Sequence, residues 1–264
     1  MNLIDPLYSY LKTNAPVAVA LSGGIDSSAL IFFCHQHNIE YISFTLIGPH
    51  ITDYEIRRIV SYRSRFNLNH FFFFYDYSRN YCLLKNTRQR CFYCKSDLLS
   101  GPVNFFNQTH TLVDGTNLTD TQSFRPGIQA LKDLGIRSPF ADLEMTKPQV
   151  IQLARLLGLK VSKADSRSCI LARFAYGIPL EVETVKKVRQ AENYLLEHGL
   201  TGFRFRVLSE RDFLLQVEAT QEFLFGKIKA RFDLLCRQMN LFPYKLHFSD
   251  FDDISGCMDN EHLI

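Results

Sequence analysis

At 264 residues, with 46% hydrophobic residues and a formal net charge of +3, the chain can hold one large or two modest domains with a real core. Thirty basic against 27 acidic residues is too even a balance to argue for nucleic acid, and no apolar run approaches the ~18–20 residues that span a bilayer. Seven cysteines, an odd number, and no secretory h-region in Met1–Asn14 argue against a disulfide framework. The expectation is a cytoplasmic protein without a membrane partner.

The first predicted element is a buried strand at 17–21, followed directly by Ser22-Gly-Gly-Ile-Asp-Ser-Ser28. Gly23 and Gly24 allow positive φ and let backbone N–H groups converge on an anion. A helix predicted over 26–37 adds its positive dipole end, and Ser22, Ser27 and Ser28 add hydroxyl donors. The loop lacks the lysine of G-x-x-x-x-G-K-[ST], so it suits a whole pyrophosphate leaving group better than γ-phosphoryl transfer. The plain alternative is a Gly-Gly turn capped by Ser and Asp.

Strands predicted at 39–46, 70–75 and 111–114 alternate with helices at 52–66, 91–100 and 146–157. The run His70–Tyr75 reads as a strand covered on both faces. Thr146 as N-cap, Pro148 in the first turn and Gln149 at the third position open the last helix, and Gly158 ends it. This alternation predicts an α/β fold with a doubly wound parallel sheet and ligands at the strand C-termini. Asp114, Thr116 and Asn117 follow the strand at 111–114 and are candidates for adenylate or substrate contact, against a Gly turn with an Asx cap. Arg125 stands in the next loop, where Arg125-Pro-Gly127 contacts a ligand or is a surface turn.

Residues 159–180 form an irregular polar stretch. A helix at 183–198, strands at 203–209 and 212–218, a helix at 220–239 and a strand at 243–249 then predict a smaller α+β domain. The predicted boundaries are 1–179 and 180–264, with an acidic tail at 250–264. Period-two alternation puts Arg204 and Arg206 on one strand face, where they suit a substrate phosphate near a subunit contact or line an exposed face.

Cys91 and Cys94 stand in Arg90-Cys-Phe-Tyr-Cys-Lys95, whose basic flanks favour thiolates. Alone, this C-x-x-C could hold metal, act in redox chemistry or be structural; no second ligand pair lies nearby to complete a zinc site. Cys169 sits in a polar loop between Arg167 and Arg173, surroundings typical of reactive thiols. Three cysteines near one nucleotide site can hold a [4Fe-4S] cluster by three irons and leave the fourth open for sulfide. Cys34 and Cys236 fall in helical patterns and read as core, Cys82 stays as an alternative ligand, and Cys257 has no partner.

These segments together resemble the LarE-type sulfur transferases of the PP-loop ATP pyrophosphatase superfamily, the pyridinium-3,5-bisthiocarboxylic acid mononucleotide synthases. The resemblance covers roughly residues 5–220 and rests on Ser22–Ser27, Arg90–Lys95, Asp114–Asn117, Asp120, Arg125–Gly127, Arg137-Ser-Pro139, Thr146-Lys147 and Cys169 with Arg173–Gly177. It implies adenylation of a pyridinium carboxylate by ATP, release of pyrophosphate and displacement of AMP by sulfur, in nickel-pincer cofactor biosynthesis. It further implies ATP binding by Ser22, Gly23, Gly24, Asp26 and Ser27, with Asp26 approaching the phosphates through Mg²⁺. Catalysis would fall to Cys169, Asp26 and Arg173. Arg125, Arg204, Arg206 and Glu192 would bind substrate. Cys91, Cys94 and Cys169 would hold the cluster of the three-cysteine type, with a sulfide or other sulfur donor as partner. A homo-oligomer is implied, although the C-terminal half diverges, as does the stretch Asp76–Gln89. A tRNA thiolase is the nearest alternative, and the near-neutral charge counts against it. A nucleotide- or zinc-binding protein without catalysis is the other, and the intact Asp26 and Ser27 count against that.

Overall fold

The computed structural model describes residues 3–122, 124–161 and 168–254. In chain order the elements are α1 (Ile4–Thr13), β1 (Val17–Ala20), α2 (Ile25–Gln36), β2 (Tyr41–Ile47), α3 (Asp53–Phe66) and β3 (His70–Phe74). Then come α4 (Tyr81–Leu84), α5 (Arg90–Phe106), β4 (Thr111–Val113), α6 (Leu118–Thr121), α7 (Pro126–Asp133), α8 (Pro139–Asp142) and α9 (Lys147–Leu156). The remainder is α10 (Val182–Glu197), β5 (Phe203–Val207), β6 (Phe213–Glu218), α11 (Glu222–Gln238), β7 (Tyr244–Ser249) and α12 (Phe251–Ile254). The chain divides into two compact units: residues 1–48, 55–80 and 89–166 form the first, and 49–54, 81–88 and 167–264 the second.

The first unit carries a parallel four-stranded sheet in the order β3-β2-β1-β4. Ala18, Ile42, Phe44 and Leu112 of this sheet pack with Leu99 and Phe106 of α5 and Leu131 of α7 into one core. Their neighbours Val17, Val19 and Val113 are fully buried too, so the central strands are covered on both faces. Because β1, β2 and β3 run to one side while β4 returns to the other, the sheet's switch point lies between β1 and β4. The expectation for His70–Tyr75 is corrected here. β3 is an edge strand, only partly buried, and its Phe74 is 83% exposed. A run of four phenylalanines gives no sign of which strand will end the sheet. The Arg125–Gly127 segment, expected as a loop, opens α7 with Arg125 as N-cap and Pro126 in the first turn.

The second unit carries a three-stranded sheet, β5-β6-β7, antiparallel between β5 and β6 and parallel between β6 and β7. Phe205 of β5 packs against Phe232 of α11 and Tyr244 of β7, beside the buried Val188 and Leu195 of α10.

Two histidines report on this packing. Burial with Arg189 nearby pushes His50 down to about 4, and burial with Arg63 nearby does the same to His70. Both folded values lie below the ordinary 6.5, so the unfolded chain binds more protons between those values. Stability from these groups is present above pH ~6.5 and is lost as pH falls toward ~4. Thermal midpoints should fall across that window, and a His50→Gln, His70→Gln double variant should show a shallower fall; an unchanged slope would rule out the histidines as its source.

Candidate active site

The crevice at the switch point is built from two loops of the first unit. β1 ends at Ala20, Leu21 N–H bonds to Phe44 O at 2.8 Å, and Gly23 turns the chain at φ 78°. Gly24 is extended instead (φ −72°, ψ 166°), so only one of the two glycines uses the left-handed region. Gly24 is also the N-cap of α2, and no side chain caps this helix. Its first-turn N–H groups are thus left without the usual side-chain acceptor, as at helix ends that bind anions. Ser22 and Ser27 hydroxyls lie 3.0 Å apart, and Ser27 Oγ accepts from Ser22 N at 3.1 Å.

The facing loop follows β4. Asp114 is held by three donors: Thr116 Oγ1 at 2.6 Å, Thr116 N at 3.2 Å and Ser138 Oγ at 2.6 Å. Asn117 caps α6 in a capping box with Asp120 and reaches Asp26 Oδ1 at 3.4 Å. Gly115 lies so close to α2 that a Cβ there would stand 2.7 Å from Ser27 N and 2.9 Å from Asp26 C. Backbone cannot yield as a side-chain tip can, so this position requires glycine. Across the crevice, Lys147 at the start of α9 pairs with Asp26, Nζ to Oδ2 2.5 Å. The cavity between the loops is about 270 Å³. Ala20, Leu46, Leu98, Leu99, Leu131 and Ile136 make an apolar wall, and Ser22, Asp26, Ser27, Asp114, Thr116, Asp120 and Lys95 make a polar one. A nucleoside on the first and phosphates on the second would satisfy both.

Ser22, Gly23, Gly24, Asp26, Ser27, Asp114, Thr116 and Asn117 are thus gathered at one crevice. Lys147, Ser138, Gly115 and Lys95 join them without having been singled out as site residues. Lys147 and Lys95 stood inside segments that carried the resemblance, but their contacts span too much sequence to be read from it. Arg125 stands beside the crevice, its Nη1 2.8 Å from Asp120 Oδ1. Cys91 and Cys94 lie three apart in the first turns of α5, the first exposed and the second buried. α7 presses against this turn at Gly127, where a Cβ would meet Lys95 Cδ at 2.9 Å and Cys91 O at 3.3 Å.

In the second unit Cys169 is exposed and caps the short 3-10 helix Ile170–Arg173. Arg173 is wholly buried. Its Nε and Nη2 meet Glu192 Oε1 and Oε2 at 2.6 and 3.1 Å, and its Nη1 donates to Ser168 Oγ at 2.6 Å and Cys169 O at 3.4 Å. Glu192 Oε1 also accepts from Phe205 N at 3.0 Å, tying the pair to β5. Arg173 therefore positions the Cys169 loop. Glu192, expected to bind substrate from a helix with exposed acids, is instead fully buried and acts through Arg173.

Arg204 and Arg206 also require correction. They do share a face of β5, but it is neither open nor exposed: the two residues are 2% and 3% exposed. Arg204 lies over the Phe251 ring at 5.8 Å, and Arg206 donates to Gln216 Oε1 and, at 2.5 Å, to Ile254 O. α12 covers them, and a four-residue helix leaves no periodicity to announce it.

Among the described residues no three His, Cys, Asp or Glu side chains gather as a metal site. Cys91 and Cys94 belong to the first unit, Cys82 and Cys169 to the second; Arg167 and Cys257 lie outside the described residues. Cys34 and Cys236 are buried as expected, and burial pushes both thiols up to about 12, with Asp233 adding to the shift at Cys236. Both thiols are thereby disfavoured as free nucleophiles at neutral pH. No described helix is long and apolar enough to cross a membrane.

A parallel sheet with a glycine-turned helix start at its switch point defines an α/β protein with a Rossmann-like core. The chain belongs to the family of the uncharacterized protein slr1717 of Synechocystis, to which it is 30% identical over 191 residues, 71% of each chain. It is 28% identical to the uncharacterized protein MJ0830 of Methanocaldococcus jannaschii over 73% of this chain and 74% of that one. A more distant relative is the pyridinium-3,5-bisthiocarboxylic acid mononucleotide synthase of Lactiplantibacillus plantarum, 27% identical over 76% of this chain and 74% of that one. No protein-family model matches the chain.

Proposed function

We propose that this protein is an ATP-dependent sulfur transferase acting on the carboxylate of a pyridinium nucleotide, in nickel-pincer cofactor biosynthesis. The observation that carries the reading is the crevice itself, where an uncapped helix start, two serine hydroxyls and the Asp26–Lys147 pair face an apolar wall. The likeness to the pyridinium-3,5-bisthiocarboxylic acid mononucleotide synthase of L. plantarum supports the acceptor class. In the reaction, an acceptor carboxylate oxygen attacks the α-phosphorus of ATP and pyrophosphate leaves. A sulfur nucleophile then attacks the acyl carbon, and AMP leaves with the electron pair of the broken C–O bond, giving a thiocarboxylate. The Ser22–Ser27 loop and the α2 start hold the departing pyrophosphate. Asp26 offers the hard oxygen donor that would hold Mg²⁺ brought by ATP, screening the phosphate charge.

The resemblance assigns a [4Fe-4S] cluster to Cys91, Cys94 and Cys169; of these, Cys91 and Cys94 supply a soft donor pair on one turn of α5 within the first unit. Bound, such a cluster leaves one iron open to carry sulfide. Arg173, paired with Glu192, holds the Ser168 hydroxyl and the Cys169 carbonyl, and the Cys169 thiol is exposed.

The test is anaerobic reconstitution with iron and sulfide, followed by incubation with ATP and a pyridinium dicarboxylate mononucleotide. Pyrophosphate and AMP should form together with thiocarboxylate. Cys169→Ala should retain pyrophosphate release and lose thiocarboxylate, and Cys91→Ala should lose iron but not fold. ATP left uncleaved by the wild type, with zinc bound in place of iron, would overturn the reading in favour of a non-catalytic nucleotide-binding protein.

A further inference from the structure

A second cleft opens in the first unit between the start of α5 and the start of α7. Its volume is about 490 Å³, and Gln89, Phe92, Tyr93, Phe124, Arg125 and Gln129 line it. Phe124 is 64% exposed, an unusual state for a phenylalanine with two more aromatic rings on the same cleft. The Arg125 side chain is 57% exposed, its Nη1 on Asp120. Among the described residues that line the cleft, Arg125 is the charged one, and its guanidinium has further N–H groups in addition to the one on Asp120.

We propose that this cleft seats the acceptor: a planar cationic heteroaromatic ring between the Phe92, Tyr93 and Phe124 side chains, with a ring carboxylate on the Arg125 guanidinium. This rests on the reading of the chain as a carboxylate-activating enzyme and assigns that enzyme's acceptor site. Aromatic faces attract a ring cation through their quadrupoles and stack on it with little loss of side-chain freedom. Arg125 would repel a bare cation, so the ligand that fits both features carries its negative charge beside the ring. The location fits as well. Asp120 lines the nucleotide crevice and binds Arg125, so one ion pair joins the two cavities. Lys95 lines the nucleotide crevice three residues after Phe92 and two after Tyr93 on α5. An acceptor carboxylate handed along this pair starts next to the nucleotide.

Calorimetric titration of the full chain with nicotinic acid mononucleotide, and with the matching amide mononucleotide, tests the proposal without turnover. The acid should bind about tenfold more tightly than the amide, since the two share the phosphate and only the acid adds a ring carboxylate for the Arg125 guanidinium. Arg125→Gln should erase that preference, and Phe124→Ala should weaken both ligands about tenfold by removing one stacking face. ATP binding should be unchanged in both variants, which also shows that they fold. An acid preference that survives Arg125→Gln, absence of acid binding to the wild type, or displacement of the acid by ATP from this cleft would overturn the proposal. Binding with the expected dependences but no AMP formed with sulfide present would support the cleft and count against the transfer reaction alone.

Discussion

Glu192→Gln is expected to destabilise the protein by about 3–5 kcal/mol, the range found when one partner of a buried ion pair is removed. The substitution preserves shape but leaves the fully buried Arg173 guanidinium without a countercharge among the described residues it contacts, Ser168 and the Cys169 carbonyl. For a chain of this size the thermal midpoint should fall by roughly 10 °C. Removing both charges, as Arg173→Met with Glu192→Leu, should recover most of this loss, because neither ion then has to be desolvated. Recovery stays incomplete, since Phe205 N–H loses its acceptor, worth about 1–3 kcal/mol. The double variant should nevertheless transfer sulfur poorly, because the Cys169 loop keeps its backbone tie to β5 through Ala175 N and Val207 O but loses the side-chain tie that reaches Ser168 and the Cys169 carbonyl. A double variant that is stable and fully active would show that the pair serves the fold alone. A Glu192→Gln midpoint equal to wild type would show that the pair is not buried in solution.

The same pair shows where reading the chain succeeds and fails. β1, the serine-glycine loop and α2 were legible because a buried strand, two glycines and a helical pattern occur within twenty residues, and local chemistry fixes local geometry. Glu192 was legible in principle: it falls four residues after the buried Val188 and three before the buried Leu195, so it lies on the apolar stripe of α10. An acid there needs a buried partner, but Arg173 is 19 residues away on another element. Arg204 and Arg206 failed differently. Alternation along β5 correctly gave them a common face, yet what lies over a face is a tertiary fact, and here α12 supplies it from about fifty residues downstream. At β3 the apolar run specified a strand and its burial was overread, because sheet order depends on all the strands together.

Asp26→Asn is expected to leave ATP binding intact or tighter while AMP formation falls by about 10²–10³, the range seen when one preorganised electrostatic group is lost. The opposite signs follow from the charges. Asp26 contributes a negative charge where the proposed reaction would place the phosphates, and Lys147, 2.5 Å away, partly neutralises it. Replacing the carboxylate by an amide removes the repulsion and frees the Lys147 ammonium for the phosphates, so the bound state gains. It also removes the carboxylate oxygen that would help to hold a divalent ion brought by ATP, so the transition state loses. Lys147→Ala should do the reverse to binding, because Asp26 then faces the phosphates with only Asn117 Nδ2, at 3.4 Å, to moderate it. ATP affinity measured by titration and AMP measured in single turnover separate the two effects. Parallel loss of binding and chemistry in Asp26→Asn would mean that the carboxylate holds the α2 and α9 starts together and takes no part in the reaction; the divergent pattern is what a catalytic carboxylate restrained by a lysine must give.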